Sequence, residues 1–283
     1  MILREFPAGP ATVGLVRAYR FVRFEHSGNR DAPVKVCVPT TDHYLEFSLR
    51  AQDILEYPDG CRRQNEFGLF VGSDVTVRRI VPTNFLLLQV VLEPSALHRI
   101  TLIPAHELRN EYIDAVSILG NEVRQINEQL QEANSYQRMT VIVDDYIAKL
   151  AQRVRTVRNF AEQLRILRDK PVISIDWLAN QSSLSLRQFE RHCRERTGMC
   201  PKSFARLARF ERAYRIKFMD PRLDWLTIAI NCGYFDYQHM ARDFKNFTGQ
   251  TPPEAIATQN TSPENLLGVP MEFDITWPKL LAN

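Results

Sequence analysis

No apolar run in this 283-residue sequence approaches the roughly 18–20 residues that a membrane-spanning helix requires. The longest, around Phe85–Leu92, is strand-length and is interrupted by Gln89. The opening Met1-Ile2-Leu3-Arg4-Glu5-Phe6 lacks the basic segment, apolar core and small-residue cleavage site of a secretory signal. Cytoplasmic residence, with no membrane partner, is the expectation. Cysteine is scarce: Cys37, Cys61, Cys193, Cys200 and Cys232 are odd in number, and none forms a C-x-x-C pair or has a His at zinc-ligand spacing. They read as reduced thiols in or near the cores. With only 11 Gly and 16 Pro, the chain is neither collagen-like nor low-complexity, and 45% hydrophobic residues exclude wholesale disorder.

What is present points to two domains, since about 150 residues per domain is the usual size. Charge divides the chain unevenly. Residues 152–258 carry 19 Lys and Arg against 11 Asp and Glu, whereas the remainder carries 17 against 22. A basic half joined to a mildly acidic one suggests that one half meets a polyanion and the other does not. The expected organisation is a β-rich sensor or dimerisation domain over 1–150, a helical domain over 151–258 and an irregular tail over 259–283. Pro263, Pro270 and Pro278 mark that tail, and Leu266, Leu267, Phe273 and Trp277 suggest that part of it docks.

The first third alternates as strands do, in Val34–Val38, Tyr44–Leu49, Phe67–Val71, Val75–Val81 and Phe85–Leu92. Turn residues separate them, including Asp59-Gly60, Gly72-Ser73-Asp74 and Pro82-Thr83-Asn84. Short strands at this spacing predict a small antiparallel barrel or sandwich. From about Pro104 the period lengthens. Leu108, Ile113, Val116 and Leu119, then Val123, Ile126 and Leu130, then Met139 to Leu150 predict helices against the barrel or a second subunit. The predicted class is therefore α+β.

Two segments of the basic half share one design. In the first, a helix ending near Asn180 gives way to Gln181-Ser-Ser-Leu184, and Ser185 with Gln188 forms a capping box for a helix to about Thr197. Phe189 and Cys193 face inward, while Arg187, Arg191 and Arg194 recur at i, i+4, i+7 on another face. In the second, Trp225–Asn231 is a short helix, Cys232-Gly233-Tyr234-Phe235 a turn, and Asp236 caps a helix to about Thr248. Met240, Phe244 and Phe247 point inward; Gln238, Arg242 and Lys245 share the outward face. Gly198-x-x-Pro201 and Gly249-x-x-Pro252 then end each helix and begin the next. Each unit is a helix-turn-helix, whose second helix can enter a DNA major groove. The helix between them, Lys202 to Phe218, spans about 25 Å, enough to direct the two reading helices to neighbouring groove segments.

Residues 157–256 resemble the DNA-binding domain of the AraC/XylS family of bacterial transcription regulators. The resemblance runs through Ala179, Ser185-Leu-Arg187-Gln-Phe189-Glu-Arg191, Gly198-x-x-Pro201, Arg209-x-x-x-Ala213, Ile228-Ala229, Gly233-Tyr234, Arg242-x-Phe244 and Gly249-x-x-Pro252. Phe189, Cys193, Tyr234 and Met240 depart from the usual core residues. By position, the resemblance implies base-facing roles for Arg187, Glu190 and Arg191 in the first motif, and for Tyr237, Gln238, His239 and Arg242 in the second. Arg194, Lys202, Arg206 and Lys245 are the expected phosphate contacts. The front half is similar to sensor domains with a late Ile-Pro-Ala-x-Glu-Leu segment, here Ile103–Leu108, which implies a cupin-like fold. Double-stranded operator DNA is thus the expected partner of a cytoplasmic, nucleoid-associated regulator. A homodimer, RNA polymerase and a small-molecule effector are further partners the resemblance brings.

Rival readings are a cupin-like enzyme or metal-binding protein carrying a DNA-binding domain, a fused DNA-repair alkyltransferase, and a module acting through protein partners alone. His26, His43, Glu46, His98 and His106 are the nearest approach to a metal site, but the His-x-His pair of metal-binding cupins is absent. No front-half Cys lies directly between Pro and His, as the alkyltransferase requires. The expectation is therefore no enzyme, no metal and no cofactor. Lys35, Arg62 and Arg63 are candidates to hold an acidic effector, or are simply a solvated surface.

Overall fold

The computed structural model describes residues 2–25, 33–152 and 158–260. His26 and the tail beyond Asn260, with its prolines and its apolar Leu266, Leu267, Phe273 and Trp277, lie outside them.

The front half is antiparallel. Strands β1 (Ile2–Phe6), β2 (Val16–Glu25), β3 (Val34–Cys37), β4 (His43–Ser48), β5 (Asp53–Glu56), β6 (Arg62–Asn65), β7 (Gly68–Phe70), β8 (Val77–Ile80), β9 (Asn84–Leu92) and β10 (Ile113–Asp114) make two sheets. One is ordered β1-β2-β9-β4-β7-β10, the other β3-β8-β5-β6. Among the described strands no ladder joins the two sheets, so the expected barrel takes the form of two layers. Strand β9 lies at the centre of the larger sheet, and Leu86, Leu87, Leu88, Val90, Val91 and Leu92 are all buried. Covering on both faces explains why this strand reads as a continuous apolar run.

Behind the strands come α1 (Ala96–Thr101), a 3-10 turn at Ala105–Glu107, α2 (Ala115–Leu119), α3 (Glu122–Glu132) and α4 (Tyr136–Gln152). The helical period expected from Leu108 begins later. Ile113 pairs with Leu69 as strand, and helix starts only where Asp114 accepts the Val116 amide. Helix α4 packs Val143, Tyr146, Ile147 and Leu150 into the first core, within the monomer. Its Asp144 accepts from the Gly9 amide at 2.9 Å, the Tyr19 hydroxyl at 2.7 Å and the Thr12 hydroxyl, which anchors the N-terminal strands to the helix.

The described residues from Arg158 on form seven helices: α5 (Arg158–Asp169), α6 (Ile175–Gln181), α7 (Leu186–Thr197), α8 (Pro201–Met219), α9 (Trp225–Asn231), α10 (Tyr237–Thr248) and α11 (Pro252–Asn260). Helix α8 has 19 residues and is therefore about 28 Å long. Phe204, Leu207, Phe210 and Ala213 run along it and are buried in a second core, with Phe160, Leu164, Phe189, Ile228 and Phe244. The α+β class read from the pattern is the observed one.

Candidate nucleic-acid interface

Each motif is fixed by local chemistry before it is fixed by packing. Ser185 accepts the Gln188 amide while Gln188 accepts the Ser185 amide at 2.9 Å, a complete capping box at the start of α7. Asp236 accepts the His239 amide at 2.6 Å at the start of α10. The short leading helices are capped in the same way, by Ser174 for α6 and Asp224 for α9. Such caps are each worth about 1 kcal/mol. Gly198 and Gly249 close α7 and α10 with φ of 78° and 73°, a left-handed conformation that glycine adopts without steric cost. Pro201 and Pro252 stand at the first turn of the following helices.

On α7 the residues at one face, Arg187, Glu190, Arg191 and Arg194, are all exposed. Arg191 pairs loosely with Glu195 of the same helix, at 3.8 Å, and its side chain stays 63% exposed. The opposite face buries Phe189 and Cys193; burial pushes the Cys193 thiol up to about 12. His192 lies between these faces, against Phe160 and Glu195. On α10, Gln238, Arg242 and Lys245 are exposed while Met240, Asp243 and Phe244 are buried. Arg242 Nε donates to the Gln238 carbonyl at 3.3 Å, and the neighbouring Asp243 is held by Arg206.

Three of the expected contacts stand differently from the rest. His239 is half-buried, with its ring edge-on to Tyr234 at 5.3 Å. Tyr237 is half-buried and packs on the second core. Arg206 is bound to the buried Asp243 and lies 5.0 Å over the Phe247 ring, which holds α8 to α10. Lys202, by contrast, is exposed on the first turn of α8.

The two turns differ by one residue. The Leu184 amide donates to the Ala179 carbonyl at 3.0 Å, and the Tyr234 amide to the Ala229 carbonyl at 2.9 Å, so these positions correspond. The caps that follow are Ser185 in one motif and Asp236 in the other. Phe235 is the additional residue, and it projects outward with 87% of its surface exposed. Unequal spacing between Ala179 and Ser185 and between Ala229 and Asp236 is the sequence signal for it. The left-handed residue in these turns is Ser183 in the first motif (φ 56°) and Gly233 in the second (φ 79°). Gly233 has a further reason: a Cβ there would lie 2.0 Å from Val172 Cγ1, in the loop leading to the first motif.

The front half contacts this helical domain at several points that sequence periodicity did not reveal. Glu211 of α8 accepts from the Thr40 hydroxyl at 2.9 Å, the Thr41 hydroxyl at 2.9 Å and the Thr41 amide at 3.2 Å. The Arg168 guanidinium meets Glu93 at 3.0 Å, and the Thr76 hydroxyl donates to the Phe247 carbonyl at 3.2 Å. Gly198, at the end of α7, approaches Ala105 and Arg109 so closely that a Cβ would stand 3.3 and 3.2 Å from them. A cavity of about 310 Å³ opens at this junction, lined by Val77, Phe70 and Tyr44 on one side and Glu211, Arg215 and Phe218 on the other.

Of the front-half metal candidates, His43 is buried at this junction, Glu46 is bound to Arg79 at 2.9 Å, and His98 Nδ1 lies 3.0 Å from the Ile103 carbonyl. Among the described residues no three His, Cys, Asp or Glu side chains gather as metal ligands. Lys35 lines the cavity, whereas Arg62 is exposed and paired with Glu56 at 2.9 Å and Arg63 is exposed on the same strand. No helix among the described residues is long and apolar enough to cross a membrane.

Residues 178–257 match the family described as "Helix-turn-helix domain". A segment of 81 residues is 35% identical to the HTH-type transcriptional activator RhaS of Pectobacterium atrosepticum, a match that spans 28% of either chain. Among solved structures, ToxT of Vibrio cholerae O395 aligns over 85% of this chain and 97% of its own, at 9% identity and a TM-score of 0.46. The transcriptional regulator CdpR of Pseudomonas aeruginosa aligns over 62% and 46%, at 18% identity and a TM-score of 0.29.

Proposed function

We propose that this chain, whose C-terminal region is an AraC-type helix-turn-helix domain, is a sequence-specific DNA-binding transcription regulator. The observation that carries the reading is the pairing of two capped second helices, α7 and α10, on one long helix. Each buries an apolar face and exposes a basic or amide-bearing one. Arginine suits guanine because its planar fork matches the O6 and N7 acceptors, and glutamine matches the adenine edge. Arg187, Glu190 and Arg191, with Gln238 and Arg242, are the proposed base-reading set; Arg194, Lys202 and Lys245, all exposed, are the proposed phosphate contacts. Tyr237 and His239, both half-buried on α10, are the further proposed base-facing residues of the second motif.

The front half acts as the modulator in this reading. It holds α8 through Glu211 and touches the ends of both α7 and α10, so a small molecule in the 310 Å³ cavity changes how the two reading helices are presented. Apolar walls with arginine and carboxylate groups suit an amphipathic effector.

Selection of binding sites from a random DNA pool, followed by titration at several salt concentrations, tests the reading. A selected site, with affinity falling steeply as salt rises, is expected. Arg191→Ala should cost about 1–3 kcal/mol and relax selection at one base position. Affinity that is equal for all sequences, or independent of salt, overturns the proposal.

A further inference from the structure

We infer that Phe235 is a reading residue of the second motif that contacts the 5-methyl group of a thymine; the inference rests on the DNA-binding reading above. Phe235 has the most exposed large apolar side chain among the described residues, and nothing in the core uses it. Its position is not a matter of fold. The first motif makes the same turn with one residue fewer, and its last turn residue, Leu184, packs inward as Tyr234 does in the second. Phe235 therefore adds nothing to closing the turn, and leaving a phenyl ring in water is unfavourable.

Its place gives it a partner. The residues at the N-terminal end of a second helix are those that reach base edges, and Phe235 immediately precedes the Asp236 cap of α10. Asp236 beside it is negative, which disfavours a phosphate at this corner. The group that a phenyl ring can recognise on the major-groove edge is the thymine methyl. The second motif then reads by two chemistries, hydrogen bonding through Gln238 and Arg242 and apolar contact through Phe235.

The test replaces each thymine of a selected site in turn by deoxyuridine, which removes only the methyl group, and measures binding by the full chain and by Phe235→Ala. The expected result is one position where the replacement weakens wild-type binding about four-fold, the worth of one buried methyl group. Phe235→Ala should bind the unmodified site about as weakly and be indifferent to the replacement there. Because the side chain is exposed, the variant is expected to keep its fold, and its circular dichroism checks this. If wild type binds a selected site but no thymine couples to Phe235, the inference is overturned. It is likewise overturned if Phe235→Ala leaves every affinity unchanged and lowers only transcription, which identifies a protein partner on this corner, with exposed Leu226 and Ile230 of α9 as its other candidates. If neither wild type nor Arg191→Ala binds DNA with any sequence preference, the underlying reading fails and the inference falls with it.

Discussion

The Glu211 carboxylate accepts both the hydroxyl and the backbone amide of Thr41, at 2.9 and 3.2 Å, across the boundary between the strand-rich half and the helix that joins the two motifs. Hydrogen bonds to a charged acceptor are worth about 1.5–3 kcal/mol each, and the Thr40 hydroxyl adds a third. Glu211→Ala is expected to cost about 2–3 kcal/mol and to split thermal unfolding into two calorimetric transitions, one for each core. A double-mutant cycle with Thr41→Val should give a coupling of about 1 kcal/mol or more. Additive effects in that cycle count against the latch.

His43 lies buried at the same boundary, with the Asp42 carboxylate and the Thr197 backbone as its polar neighbours. Desolvation lowers its pKa to about 4, outweighing the Asp42 carboxylate and the Thr197 backbone, which favour the charged ring. The unfolded ring takes its proton near 6.5, so this contribution to stability is full above that pH and declines as pH falls toward 4. The loss is about 3 kcal/mol in all. Burial raises Asp53 to about 6, which acts in the opposite sense over the same range. The stability difference between wild type and His43→Gln isolates the histidine, and it should grow by about 3 kcal/mol from pH 4 to 7 in denaturant titrations. A difference that does not vary with pH rules this account out.

Gly233 and Gly249 share a left-handed backbone but differ in their surroundings. Among the described residues, none beyond its chain neighbours comes within 4 Å of a Cβ built on Gly249, so Gly249→Ala should cost about 1 kcal/mol from the backbone alone. Gly233→Ala meets Val172 as well and should cost about 2–3 kcal/mol. Adding Val172→Ala should bring the second cost back to the first. Equal costs for the two single substitutions refute the close approach.

Arg206 and Lys202 lie one turn apart on α8 and are predicted to behave differently. Arg206→Ala leaves buried Asp243 without its partner and should lower stability by about 2 kcal/mol, with little change in the salt dependence of DNA binding. Lys202→Ala should leave the melting temperature in place and reduce the slope of log affinity against log salt by about one. Titrations of both variants at three or more salt concentrations distinguish the two roles.

Much of the helical half was legible because its signals are local. The capping box at Ser185, the glycines at 198 and 249 and the prolines at 201 and 252 each act within one helical turn, so spacing alone located α7, α8 and α10. The exposed arginines of α7 follow from the same 3.6-residue period that buries Phe189 and Cys193. The partner of Arg206 was not legible, for a physical reason. A basic residue on an amphipathic helix reads as solvated, and only the arrival of Asp243, 37 residues later, commits it to an ion pair. In the front half, β5 and β6 are four-residue strands with charged residues, which carry little apolar alternation to find them by.

Taken alone, the order of residues determined the two capped motifs, the helix between them and the basic face of each, since these depend on neighbours within about four positions. Tertiary structure decided which polar groups remain available. It bound Arg206 to Asp243, turned His239 against Tyr234, placed Glu211 on Thr41 and left Phe235 in solvent. Those outcomes depend on contacts between residues that are near in space and distant, or unequally spaced, along the chain.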